Sequence, residues 1–122
     1  MPQNGTLGER YAAEYLQEQG YTILETNFHT RFGEIDIIAQ RGDILAFVEV
    51  KTRAATMLGS PEAAVTPTKQ KKLIMTALCY LQAHPVDLQP RFDVIAITTA
   101  SKTAFKVVDI LHLTNAFEAV AQ

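Results

Sequence analysis

Two strand-like runs on either side of a hairpin signal, Arg41-Gly42-Asp43, constrain this chain more than any other feature. The first is Gly33-Glu34-Ile35-Asp36-Ile37-Ile38-Ala39, the second Ala46-Phe47-Val48-Glu49-Val50-Lys51-Thr52-Arg53. Both set charged groups inside an apolar strand, where burial normally demands a continuous hydrophobic run. Side chains alternate across a strand, so Glu49 and Lys51 share one face while Val48 and Val50 take the other. The same rule puts Glu34 with Asp36, opposite Ile35 and Ile37. If the strands are adjacent, Asp36, Glu49 and Lys51 converge.

The flanking sequence supplies the remaining elements. Thr6-Leu7-Gly8-Glu9 fits a capping box, and Leu7, Tyr11 and Tyr15, with Ala12 and Leu16 beside them, recur at helical spacing. A first helix is therefore expected from Leu7 to Gln19, stopped by Gly20. Strands are expected over Tyr21–Phe28, Glu34–Ala39 and Ile44–Thr52, with Arg31-Phe32-Gly33 as a turn. Ser60-Pro61-Glu62-Ala63 reads as the start of a short helix, and Thr66-Pro67 as that of a long one. The long helix carries a stripe of Leu73, Ile74, Ala77, Leu78 and Leu81 to about His84, before Pro85. Strands at Phe92–Thr98 and Phe105–Ile110 and a final helical turn toward Gln122 complete the chain. The order α-β-β-β-α-β-β places it in the α/β or α+β class, as one domain over residues 1–122 with a mixed sheet flanked by helices.

Composition narrows the function classes. The single cysteine, Cys79, has no internal partner and reads as a small core residue in a reducing compartment. With no secretory segment after Met1 and no membrane-length apolar stretch, a cytoplasmic protein with no membrane association is expected. The formal net charge is −2, so the chain lacks the cationic excess on which duplex binding usually rests. Any nucleic-acid chemistry must draw on local patches, a metal or a partner.

Asp36 and Glu49 in one site would repel each other, and one would hold a proton unless a cation neutralised them. Mg²⁺ or Mn²⁺ suits such oxygen donors, and the Val50 carbonyl lies between Glu49 and Lys51 as a further ligand. A metal there activates water and stabilises charge on a phosphoryl oxygen, with Lys51 beside it to hold the water or donate to the phosphate. These residues have an ordinary reading too. Glu49 and Lys51, two apart on a half-exposed strand, also fit a solvated pair worth little energetically.

Asp36 with Glu49-Val50-Lys51 is similar to the core of the PD-(D/E)xK nuclease superfamily. A longer set resembles the bacterial UPF0102 (YraN-like) family: Gly8-Glu9-Arg10 with Ala13 and Leu16, Gly20, Asn27, Gly33-Glu34-Ile35-Asp36 and Phe47 to Arg53. The likeness continues through Gly59, Ala64-Val65, Lys69, Tyr80-Leu81 and Arg91-Phe92-Asp93-Val94. The resemblance implies a restriction-endonuclease-like fold and a metal-dependent endonuclease related to archaeal Holliday-junction resolvases. It further implies DNA with branches, flaps or single strands as substrate, and the near-neutral charge calls for a homodimer or a DNA-remodelling partner to add binding surface.

The resemblance also makes Glu9 a third acidic member of the metal site, although Glu9 equally completes the capping box with Thr6. Glu34 is then a supporting carboxylate. His29 stands where the family usually has Arg, and with Arg31 it is a candidate nucleic-acid contact. Lys69, Gln70 and Lys72, at the start of the long helix beside Lys71, are further candidates, with Arg53 leading in; lysines so placed also read as a solvated face. Asp93 reads as a structural partner of Arg91, and His84 and His112 have no second ligand nearby for zinc. A non-catalytic nucleic-acid-binding or adaptor module is the alternative reading.

Overall fold

The structure, a computed structural model, describes residues 6–56 and 65–118. Helix α1 (Leu7–Glu18) is followed by β1 (Thr22–Thr30), β2 (Gly33–Arg41) and β3 (Ile44–Ala54). Helix α2 (Pro67–Ala83) then leads to β4 (Gln89–Thr99) and β5 (Val107–Phe117). The five strands form one sheet in the order β1-β2-β3-β4-β5. All neighbours run antiparallel except β3 and β4, which are parallel. Parallel neighbours cannot be joined by a tight turn, and α2 lies in the connection that carries the chain from one to the other. This is the mixed α+β arrangement expected of a restriction-endonuclease-like fold.

Local chemistry sets the boundaries. Thr6 and Glu9 form the complete capping box of α1, and Thr66 caps α2 with Pro67 at its first position. Gly42, at φ 60°, makes the two-residue turn between β2 and β3. Gly8 lies so close to β3 that a Cβ there would overlap the Thr52 hydroxyl, so the missing side chain seats the first turn of α1 on the sheet.

Each face of the sheet carries its own core. On one side Ala12 and Leu16 of α1 pack with Ile37, Ala39, Ala46, Val48, Ile95 and Ile97. On the other Leu73, Ala77 and Tyr80 of α2 pack with Ile35, Ile38, Leu45, Phe47, Phe92 and Val94. Burying both faces accounts for the near-continuous apolar runs of β2, β3 and β4.

Asp93 is buried beneath α1. It accepts two hydrogen bonds from Arg91 (2.8 Å each), one from His112 Nε2 (2.8 Å) and one from the Asn115 amide (3.1 Å). Arg91 also donates to the Tyr21 hydroxyl at 2.6 Å. Asp93 is thus the structural partner of Arg91 that the sequence implied, and His112 joins the same cluster.

Several details depart from the periodicity. The buried face of α2 is Leu73, Thr76, Ala77 and Tyr80, whereas Leu78 is half exposed and Cys79 only partly buried. Thr76 tolerates burial because its hydroxyl donates to the Lys72 carbonyl at 2.8 Å. Leu7 and Tyr11 of α1 are exposed rather than in the stripe. Strand β5 reaches Phe117, so the chain from Leu111 to Phe117 is strand, and Phe105 precedes it. Leu113, Ala116 and Phe117 all pack against the α2-side core, where the register with β4 shifts and Asn115 takes φ 53°. The short helix expected at Ser60–Ala63 and the end of the tail lie outside the described residues.

Candidate functional site

Strands β2 and β3 pair from Arg41–Ile44 to Ile37–Val48, where their recorded register ends. There Asp36 Oδ2 accepts the Val50 backbone N–H at 2.7 Å, so a carboxylate bonds an amide of the neighbouring strand. Alternation breaks at the same place: Ile35 faces the α2 core and Ile37 the α1 core. Sequence alternation had put these two isoleucines on one face. Strict period-2 alternation assumes a regular strand, and the chain is irregular at Asp36.

Glu49 shares its face with Phe47 and points toward α2. Lys69, in the first turn of that helix, reaches the Glu49 carboxylate at 2.6 Å, and Lys51 approaches the same oxygen at 3.4 Å. Asp36 and Glu49 are both buried, 7% and 6% exposed. Burial, followed by the hydrogen bond and charge of Glu49, pushes the Asp36 carboxyl up to about 8. Burial also opposes ionisation of Glu49, but hydrogen bonds from Asp36 and Lys69 outweigh it and hold that carboxyl below its ordinary value. Burial lowers the Lys51 ammonium, aided by the nearby Lys69. For Lys69 burial acts the same way, yet the bond to Glu49 prevails and raises it. The arrangement is a pair of buried carboxyls shifted in opposite directions, with two ammonium groups beside Glu49.

Glu9, Asp36, Glu49, Val50 and Lys51 all line one cleft of about 490 Å³, joined by Glu34, Lys69 and Lys72. Of the expected catalytic and metal-holding residues, every one reaches it. The expected nucleic-acid contacts divide: Lys69 and Lys72 line the cleft, while Gln70 Nε2 donates to the Val65 carbonyl at 2.9 Å. His29 is exposed with Nδ1 3.1 Å from the Asn27 carbonyl, Arg31 stacks over the Phe32 ring, and Arg53 lines a neighbouring groove.

Two roles escaped the sequence. Lys69, read as a DNA contact, is the partner of Glu49. Asn27 is the second, since its Nδ2 donates to Glu9 Oε1 at 3.0 Å. The Thr6 amide donates to that same oxygen at 3.0 Å, so the cap and a place in the cleft coexist on one carboxylate. Asn27 has φ 52° within β1, and its buried Oδ1 has no hydrogen-bond partner. An asparagine inside a strand is unfavourable by propensity, which was the available signal.

Among the described residues no three or more His, Cys, Asp or Glu side chains gather tightly enough to enclose a metal. The donor set nonetheless fits a hard divalent ion. Such ions are commonly held by one or two carboxylates and complete their shell with water and phosphate. Asp36 and Glu49, both lining the cleft, supply that pair.

The model of the uncharacterised protein family UPF0102 matches residues 8–97, a span containing every residue of this site. The chain belongs to the UPF0102 family. It is 46% identical to a UPF0102 protein of Syntrophomonas wolfei over 114 residues, 93% of this chain and 96% of that one. It is 48% identical to a UPF0102 protein of Geobacter sulfurreducens, covering 93% and 88% of the two chains. With a UPF0102 protein of Syntrophus aciditrophicus the identity is 52% over 95 residues, 77% of this chain and 75% of that one. The family match starts at Gly8, the residue whose missing side chain brings Glu9 to the sheet. No helix among the described residues is long and apolar enough to cross a membrane.

Proposed function

We propose that this UPF0102 protein is a metal-dependent endonuclease that hydrolyses DNA phosphodiester bonds, with branched or flapped DNA as its substrate. The observation that carries the reading is the two buried carboxylates of Asp36 and Glu49 lining one cleft at the fork of β2 and β3, with Lys51 beside them. Asp36 and Glu49, with the Val50 carbonyl and Glu9, are the groups that would hold Mg²⁺ or Mn²⁺. Bound there, the ion supplies a water of lowered pKa and neutralises charge growing on a phosphoryl oxygen. Lys51 holds the attacking water or donates to the scissile phosphate. Lys69 neutralises Glu49 without the ion, and its ammonium serves the phosphate once the carboxylate is otherwise engaged. Added binding surface would come from a second copy or a DNA-remodelling partner, given a net charge of −2.

The test is cleavage of linear, flapped and four-way DNA with Mn²⁺ and with EDTA. Wild-type protein should cut in Mn²⁺ alone, and Asp36→Ala and Lys51→Ala should not; equal cutting by wild type and Asp36→Ala sinks the reading. One observation favours a second reading, a nucleic-acid-binding module without catalysis: Lys69 and Lys51 both pair with Glu49 Oε2. Calorimetry separates the two, because an active site binds Mn²⁺ and loses it in Glu49→Ala, whereas a self-neutralised site binds none.

A further inference from the structure

Beyond Lys51, β3 continues through Thr52, Arg53 and Ala54 into a second groove of about 500 Å³. Leu7, Thr52, Arg53, Lys102 and Phe105 are among its walls. This groove adjoins the cleft through two short links in the chain. Leu7 stands two residues before Glu9 on α1, and Thr52 follows Lys51 on β3.

Its surface combines two chemistries. Leu7 (52% exposed) and Phe105 (39%) are large apolar walls of the groove, and Tyr11 (37%), outside its lining, stands beside Phe105. The Tyr11 and Phe105 rings meet edge to face, their centroids 6.1 Å apart. Arg53 and Lys102 bring positive charge, and no Asp or Glu among the described residues lines the groove. That local balance contrasts with the chain's net −2. An anionic ligand with a flat apolar face matches both features. A nucleotide is such a ligand, and its base offers a free face only when unstacked and unpaired.

We propose that this groove binds an unpaired nucleotide of the DNA strand held in the cleft, its base against Phe105 and Tyr11 and its phosphate near Lys102 and Arg53. The proposal rests on the nuclease reading and deepens it, because it makes a single-stranded segment next to the cut site part of the substrate. Thr52, in the groove wall, lies against α1 at Gly8, the residue before Glu9 of the cleft.

The experiment uses the full chain, Ca²⁺ in place of Mn²⁺ and a duplex with a short single-stranded tail. 2-Aminopurine occupies the first unpaired position, and a blunt duplex with the probe at its end is the control. Wild-type protein should quench the tail probe by stacking and prefer the tailed duplex. Phe105→Ala should weaken tailed binding about tenfold and leave blunt binding nearly unchanged. Lys102→Ala should weaken tailed binding and lower its salt dependence by about one phosphate contact. Circular dichroism verifies that both variants fold. Equal tailed-to-blunt ratios for wild type and both folded variants overturn the proposal. So does Phe105→Ala converting a dimer to a monomer in sedimentation without changing that ratio, since the patch would then face a second copy. Cleavage in Mn²⁺ is scored separately. A Phe105-dependent quench without cleavage supports the groove and refutes the nuclease, and cleavage with no preference for tails does the reverse.

Discussion

Two buried acidic sites lie on opposite faces of the same sheet, and they solve the same electrostatic problem differently. Asp93, under α1, receives four hydrogen bonds from Arg91, His112 and the Asn115 amide. Burial opposes its charge, but those donors outweigh burial and lower its carboxyl below the ordinary value. Asp36, on the cleft side, receives one amide and faces another carboxylate, and it is pushed up to about 8. At nearly equal burial, the donors decide the direction of the shift. Asp93 is complete within the chain. Asp36 is instead balanced by a raised carboxyl and Glu49 by two mobile-ended lysines, groups that a ligand can displace more easily than the Arg91 cluster of Asp93.

The strongest way to break the comparison is to remove each acid in turn. Asp93→Ala leaves Arg91 without its buried partner, and it is expected to cost about 3–5 kcal/mol in urea unfolding. Asp36→Asn should behave oppositely. An asparagine can accept from the Val50 amide through oxygen and donate to Glu49 through nitrogen, as the protonated acid does. Its metal-free stability should therefore equal or exceed wild type at pH 8, while Mn²⁺ binding and cleavage are lost. A loss of stability comparable to that of Asp93→Ala would show that Asp36 is structural too.

The pH dependence sharpens the same contrast. Between about pH 4 and pH 8 the folded protein holds a proton on Asp36 that the unfolded chain has released. The folded state then binds more protons, so this contribution to stability falls as pH rises through that window and is flat above it. Asp93 has the opposite sign, its stabilisation present above the ordinary carboxylate range and lost as pH falls below it. Urea midpoints of wild type and Asp36→Asn should diverge steadily from pH 5 to pH 8 in favour of the variant. Metal must displace the Asp36 proton, so Mn²⁺ affinity should rise by up to tenfold per pH unit to about pH 8. Calorimetry in buffers of different ionisation enthalpy should register release of about one proton at pH 6.5. Affinity that is flat with pH would place the metal elsewhere.

Much of this contrast was legible in the residues themselves. Caps at Thr6 and Thr66, the Arg41-Gly42-Asp43 turn and charges inside apolar strands located the elements and brought Asp36 and Glu49 together. These are local signals, written within a few residues of where they act. The missed features are long-range or irregular. The reach of Lys69 to Glu49 depends on how α2 docks, which no spacing within α2 records. The break at Asp36 defeats the alternation rule because that rule presumes a regular strand. β5 runs past its expected end at Ile110 to Phe117, through a register shift and the positive φ of Asn115 that no local signal announces.

The smallest expected effect concerns Asn27, which links the cleft to β1. Its amide and the Thr6 amide both donate to Glu9 Oε1, which fixes the carboxylate's rotation and leaves Oε2 outside these contacts. Alanine there would confound two changes, because φ 52° is costly for any residue with a Cβ. Asn27→Gly keeps the backbone accessible and removes only the amide. If Asn27 positions Glu9 for the ion, the variant should lose about tenfold in Mn²⁺ affinity or Mn²⁺-dependent cleavage. Its urea midpoint should move little, since the Thr6 amide still satisfies the carboxylate and the orphaned Oδ1 disappears with the side chain. A drop in stability with unchanged metal affinity would instead assign Asn27 to the folding side of the comparison, with Asp93. The two measurements on one variant therefore decide whether Glu9 belongs to the helix cap alone or to the cap and the cleft together.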